Sequence, residues 1–297
     1  MRSRTALAVV LSLSACSYPE LHYAEDAATD GPYVLPDGRV CTGHDEDDDG
    51  VPDECDVCPN VRDPAQVGEG IGAACAPSPT VPIGVARRVG FDPMTSLAGW
   101  TPTPLLGYAL GEDSDSLVGG TPGDDVFYMA TPTVSKTTAG APLVVTTLVS
   151  IEQSGGGSAG ILLRINGART QFFACLVGAD GGFVVAHAPT PPCTGSCTPV
   201  VFGGGDGGVL ARDLPPAMPF AVGRAIGLRA TVTAGTSGRF ECRVFDPNAP
   251  GTLAEAAPTH ALALDVPGAD WLSVGSIGLF SYRARARFRS IDVLSGG

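Results

Sequence analysis

The sequence predicts an all-β protein, a large antiparallel β-sandwich preceded by a small, cysteine-bonded acidic segment. Three observations predict it. Gly (40) and Pro (26) are abundant while charged residues make up only 16% of 297, which supplies many turns and few solvated helical faces. From about residue 84, short apolar runs alternate with polar residues and are split by Gly and Pro, with no sustained 3.6-residue period. The acids are local: residues 17–75 hold 15 of the 31 Asp and Glu with only Arg39 and Arg62 as bases, whereas residues 76–297 hold 16 acids against 14 bases.

The candidate strands are 126–130, 143–152, 159–166, 170–178, 182–188, 225–233, 238–245, 274–281 and 284–294. Gly-rich turns separate them, including GGGS near 156, GADGG at 178, GGGDGG at 203 and AGTSG at 234. Strands of this length and spacing point to an antiparallel sandwich. Hydrophobic residues at 44% can fill a sizeable core.

The N-terminus, MRSRTALAVVLSLSACS, has two arginines, an apolar run too short to span a bilayer, and then Leu13-Ser14-Ala15-Cys16. These residues resemble the lipobox of bacterial lipoproteins. The resemblance implies removal of residues 1–15 and lipidation of Cys16, and several acyl chains at about 0.8 kcal/mol per buried CH₂ hold a protein to a membrane. Ser17 follows where Asp is the usual retention signal, which implies the outer membrane or cell surface of a Gram-negative bacterium. No later run is long and apolar enough for a transmembrane helix.

Lipidation of Cys16 leaves eight of the nine cysteines, an even number suited to disulfides in an oxidising compartment. Four lie in the acidic segment (Cys41, Cys55, Cys58, Cys75) and four further on (Cys175, Cys193, Cys197, Cys242). Spacing alone leaves three pairings open in each set. Cys193 and Cys197 flank Thr-Gly-Ser, a small loop staple, which leaves Cys175 and Cys242 in two strand-like runs. Zinc at the CxxC of residues 55–58 is the weaker alternative, given the hard oxygen donors around it and the export route.

Residues 45–56 read DEDDDGVPDECD. With Asp45 as position 1, Asp47 and Asp49 fall at 3 and 5, Gly50 at 6, the Val51 carbonyl at 7, Asp53 at 9 and Asp56 at 12. Those are the positions from which a twelve-residue loop supplies oxygen ligands to Ca²⁺, with Gly at the sharp turn. Flanking Pro36-Asp37-Gly38 and Cys58-Pro59 exclude the helices of an EF-hand. The segment resembles a thrombospondin type-3 repeat, matching at Asp45, Asp47, Asp49, Gly50, Val51, Pro52, Asp53, Asp56, Cys58, Pro59, Pro64 and Gln66. The resemblance implies a Ca²⁺ site and the bridges Cys41–Cys55 and Cys58–Cys75. A second run, VGEGIGAAC at 67–75, keeps the Gly and Cys skeleton but only Glu69 as an acid, so one good site is expected. The expected role is a stiff, calcium-dependent spacer, since so small a segment cannot build its own core.

The domain plan is therefore a signal peptide (1–15), a lipid-anchored tether (16–40), the calcium segment (41–75), a Pro-rich linker (76–83) and the sandwich (84–297). The sandwich resembles the concanavalin A-like jelly roll of laminin-G and glucanase-like domains. The resemblance rests on Phe91-Asp92 with Leu97 and Gly99-Trp100, on Val149, Ile151 and the run from Gly156 to Arg164, and on Phe173-Ala174-Cys175. It extends to Gly275-Ser276-Ile277-Gly278-Leu279 and to Ala286, Phe288, Ile291 and Val293. These are core and turn residues, which speak for fold more than for function.

A glycosidase needs two carboxylates at a set separation. No paired-carboxylate strand motif is present; Glu112-Asp113-Ser114-Asp115 reads as a loop, and Glu152 and Glu241 are isolated. No nucleophile elbow or phosphate loop is present, and His187 sits in a strand-like run. Nothing supplies the basic surface that nucleic acid requires. In RARARFR at 283–289, Arg283, Arg285, Arg287 and Arg289 share one strand face: a solvated outer face, or a stripe for an anionic polysaccharide. Trp100 and Trp271 read as packing residues before sugar platforms. The expected function is a non-enzymatic glycan-binding or adhesion head, with a glycan hydrolase or a purely structural envelope protein as alternatives.

Overall fold

The computed structural model of the chain describes residues 32–35, 37–43, 45–66, 72, 74–75, 84–90, 100–103, 107–110, 116–123, 127–132, 143–165, 172–188, 209–214, 220–232, 238–247, 260–266 and 275–295. Among them every regular element longer than a turn is a strand, and every strand pairing is antiparallel. No described helix is long and apolar enough to cross a membrane.

Two long strands organise the sandwich: β8, Leu143–Ile165, and β15, Ser276–Ser295. They pair with each other along almost their whole length, from Leu143 opposite Ser295 to Ile165 opposite Ser276. The second half of β8 also pairs with β9 (Phe172–Gly178), which continues to β10 (Gly182–Ala188) and β11 (Val209–Asp213). On the far side of this layer the first half of β15 pairs with β7 (Phe127–Pro132), and β7 with β4 (Trp100–Thr103). The first half of β8 instead pairs with β12 (Ile226–Val232), followed by β13 (Gly238–Phe245) and β14 (Ala261–Val266). There the second half of β15 takes β3 (Gly84–Gly90) and β6 (Leu117–Gly119), with β5 (Tyr108–Leu110) beside β6. Each long strand thus belongs to both layers.

The residues between the layers alternate as a two-sided strand requires. Phe173, Cys175 and Val177 of β9 and Phe183 and Val185 of β10 meet Leu228, Ala230 and Val232 of β12 and Phe240, Cys242 and Val244 of β13 in one buried core. Phe173 and Phe240 approach to 5.2 Å between ring centroids, and Cys175 bonds Cys242 across the layers with Cα atoms 5.3 Å apart. Each fully buried side chain of this size stabilises the fold by ~1.5–3 kcal/mol. Trp100 belongs to the same core, which makes it a packing residue; Trp271 lies outside the described residues.

Two differences from the sequence reading share one cause. GGGS does not form a hairpin turn, and the runs 143–152 and 159–166 are one strand. Likewise 274–281 and 284–294 are joined. The chain bends rather than turns: Gly156 adopts φ +81° and Arg283, near it on the partner strand, φ +49°, with register shifts around Ala284. Bends of this kind re-aim a strand without ending its ladder.

The acidic segment is not a free spacer. After a two-stranded ribbon, β1 (Tyr33–Val34) with β2 (Val40–Cys41), it lies against the outer face of the β8–β12–β13 layer. Cys58, Val61 and Ala74 pack on Leu148 of β8 and Phe245 of β13. A small segment without its own core has borrowed one from the sandwich, which is the physical reason the spacer expectation fails. Gly227 of β12 permits this, because a Cβ there would collide with the Phe245 ring.

Candidate metal centre

The loop at residues 45–56 folds around its own carboxylates. Asp45 accepts hydrogen bonds from the Asp49 amide (3.2 Å) and the Gly50 amide (2.6 Å), and Asp49 accepts from Val51 (2.9 Å) and Asp63 (2.9 Å). Asp53 accepts from the Glu46 amide (3.0 Å), and Asp56 from the Cys58 amide (2.6 Å) and the Gln66 side-chain amide (2.8 Å). Each of these aspartates is thus oriented through one set of amides. Gly50 makes the turn at φ +94°, a conformation that side chains disfavour. Asp45, Asp47 and Asp49 each bring a carboxylate oxygen within 4.8 Å of the others.

Asp47 differs from its neighbours. It is fully buried, and neither of its carboxylate oxygens has a hydrogen-bond partner among the described residues. An unpaired buried carboxylate is costly. Its pKa is pushed up to about 9, first by burial and then by the charges of Asp56, Asp49, Asp45 and Asp53. Asp53 is pushed up to about 8, chiefly by burial, against the opposing Glu46 amide and with added repulsion from Asp56, Asp292 and Asp45. Burial also raises Asp49. Four carboxylates thus repel the charge of Asp47, which has no donor among the described residues, an arrangement that suits a hard cation. Val51, whose carbonyl the sequence placed at position 7, is buried in the same loop.

The four cysteines of this segment are bonded to one another. Cys41 bonds Cys55 and Cys58 bonds Cys75, with Cα separations of 6.0 and 5.5 Å. No thiolate of the CxxC is therefore left for zinc. Glu54, beside the first bridge, accepts from the Thr42 amide (2.5 Å). Cys16 and the pair Cys193 and Cys197 lie outside the described residues, as does Glu69.

Three residues of the centre had no role assigned in the sequence reading. Gln66 donates to Asp56 and to the Asp63 carbonyl (3.0 Å) while accepting from the Val57 amide (3.0 Å), which ties the loop to the chain after it. Glu46 is buried and faces Arg289 of β15 at 4.0 Å. Asn60, also buried, donates to Asp292 of β15 at 2.8 Å and meets the Ser290 hydroxyl. Only the match of Gln66 to the repeat pattern hinted at any of them; the partners of the other two lie far away in sequence.

The four arginines at 283–289 do alternate with buried Ala284, Ala286 and Phe288. They do not form a free cationic stripe. Arg287 pairs with Glu152 (3.2 Å) and donates to Ser116 (2.9 Å), and Arg289 faces Glu46; Arg283 is partly buried, and Arg285 is exposed. Isolated Glu152 and Glu241 are likewise ion-pair partners, of Arg287 and Arg243.

No family model matches the chain, and no curated protein matches it. Solved structures do resemble it in shape. A carbohydrate-binding module from Bacillus subtilis is 15% identical, with a TM-score of 0.43, covering 66% of this chain and 94% of that one. An endo-1,3-β-glucanase from Streptomyces sioyaensis is 11% identical, with a TM-score of 0.45, covering 74% and 99%. A lectin from Bauhinia forficata in complex with GalNAc is 10% identical, with a TM-score of 0.40, covering 70% and 97%.

Proposed function

We propose that the chain is an exported, lipid-anchored calcium-binding protein whose β-sandwich head binds glycan without acting on it chemically. The observation that carries the calcium reading is Asp47, a buried carboxylate with no donor among the described residues, surrounded by four other aspartates at the spacing of a twelve-residue oxygen-donor loop. Bound Ca²⁺ would be held by Asp45, Asp47, Asp49, the Val51 carbonyl, Asp53 and Asp56, and would neutralise charges that otherwise repel. Its role is to clamp the segment to the sandwich rather than to hold the head at a distance.

The non-enzymatic reading is supported by what one layer carries. The strands β4, β7, β9 and β10, residues 158–165 of β8 and residues 276–282 of β15 contain no Asp or Glu. The face of that layer turned away from the core bears Leu162, Ile165, Ala174, Leu176, Phe280 and Tyr282, all buried. The edge strand β11 adds Asp213, so the described strands of that layer offer one carboxylate where a paired-carboxylate hydrolase needs two. Glycan as the ligand class rests on the concanavalin A-like resemblance of the sequence.

The test is a glycan and polysaccharide panel probed with the mature chain in calcium and in EDTA, followed by product analysis of each ligand that binds. Specific calcium-dependent retention without cleavage is expected. Cleavage of a bound glycan would overturn the non-enzymatic reading, and a blank panel with folded protein would overturn the glycan reading.

A further inference from the structure

The outer face of β12 and β13 holds a second concentration of charge, of opposite sign to the metal loop. Arg229 of β12 and Arg243 of β13 are direct cross-strand partners, and Thr146 of β8 is the partner of Arg229 on its other side. Like charges placed opposite each other on one face destabilise a sheet. Arg229 is nevertheless 97% buried, at 3% exposure, and its Nη2 has no hydrogen-bond partner among the described residues.

The acids on neighbouring strands are bonded to other side chains. Glu241 is bonded to Arg243 Nε at 2.5 Å, Asp246 to Arg224 at 2.7 Å, and Asp265 to Arg239 at 3.2 Å. Asp292, two strands away along the same row, receives Asn60. The carboxylate whose charge reaches Arg229, Glu241, is thus bonded to Arg243. A buried guanidinium nitrogen without an acceptor is costly, and burial, then the charge of Arg243, lowers the pKa of Arg229 to about 10 against the opposing charge of Glu241.

We propose that Arg229, with Arg243 across from it and Thr146 beside it, forms a binding site for an oxyanion, the carboxylate of an acidic sugar. The planar fork of a guanidinium matches a carboxylate with two parallel hydrogen bonds. Arg243 and Glu241 are each about one quarter exposed, so the site opens on that side while Arg229 forms its floor. The choice of a sugar carboxylate rests on the glycan reading above; the oxyanion site itself does not.

The test is thermal unfolding of the mature chain at fixed calcium with galacturonate, sodium sulfate, glucose, or sodium chloride at matched ionic strength. Galacturonate is expected to raise the unfolding temperature saturably, and glucose and chloride are not. Arg229→Met, which keeps the bulk and removes the charge, is expected to fold and to need at least tenfold more galacturonate for half the effect. Should that variant not fold, Arg243→Gln carries the same expectation. An equal response in the variant and the parent, or no response of the parent to either anion, overturns the site. Stabilisation by sulfate and galacturonate with a blank glycan panel keeps the oxyanion site and rejects the glycan reading. Glycan binding that Arg229→Met leaves unchanged does the reverse.

Discussion

The side-chain amide of Asn60 donates a 2.8 Å hydrogen bond to Asp292, 232 residues away, and so joins the acidic segment to the last strand of the sandwich. Both residues are buried, and the Ser290 hydroxyl meets the other end of the same amide. Asp292 also contributes to the repulsion felt by Asp53 in the loop. One bond therefore connects the carboxylate cluster, the docked segment and the strand that spans both layers.

Replacing Asn60 by Ala removes the donor and leaves a buried carboxylate with one partner fewer. The expected loss is ~1–3 kcal/mol of unfolding free energy, read from urea unfolding in calcium. The same variant is expected to bind calcium more weakly, because the loop is held less firmly in its ligating shape.

The carboxylate cluster fixes a sign for the effect of pH. Asp47 and Asp53 rise from an ordinary 3.8 to about 9 and about 8 on folding. Between those limits the folded, cation-free chain holds more protons than the unfolded one. The contribution of these two carboxylates to stability is therefore greatest below about pH 4, falls as pH rises, and levels off above about 9. Calcium removes the penalty by replacing the protons, so its binding at pH 7 releases protons. Calorimetric titration in two buffers of different ionisation heat reads that release directly; identical apparent enthalpies would contradict it.

Gly227 lets the Phe245 ring lie on the sheet under the docked segment. Gly227→Ala is expected to cost ~1–3 kcal/mol by overpacking. The loss should appear in thermal unfolding and should be smaller in Gly227→Ala/Phe245→Leu, where the collision is relieved.

The bridge from Cys175 to Cys242 joins the two layers across 67 residues of sequence. Replacing both cysteines by Ala is expected to cost ~2–4 kcal/mol, with the sandwich still folded. Chemical denaturation of the parent and the double variant measures the difference.

Local signals made much of this molecule legible in its sequence. The alternation in Phe172–Gly178 and in Gly238–Phe245 marks real strands, because one face of each meets the core. The spacing of the aspartates marks the loop that gathers carboxylates around Asp47, because a tight acidic turn has its own local geometry. Non-local relationships were hidden. Gly155–Gly157 look like a hairpin, yet β15 runs alongside and bends with them, which no local pattern reveals. Strands β5 and β6 are three residues each, too short for alternation to show. The arginines of β15 look free until Glu46 and Glu152 arrive from elsewhere in the chain. Docking of the segment depends on Val61, Asn60, Leu148 and Phe245, which are unremarkable singly and acquire meaning only from the tertiary fold.

The most direct test of a cation-clamped segment is hydrogen exchange of the mature chain in calcium and in EDTA. The amides to follow are those of Cys55, Asp56 and Val61, which donate within the segment to Pro52, Pro52 and Cys58, at 2.8, 3.0 and 2.8 Å. Calcium is expected to slow their exchange by orders of magnitude while amides in the ladder between β9 and β10 change little. Equal rates at Cys55, Asp56 and Val61 with and without calcium would contradict it.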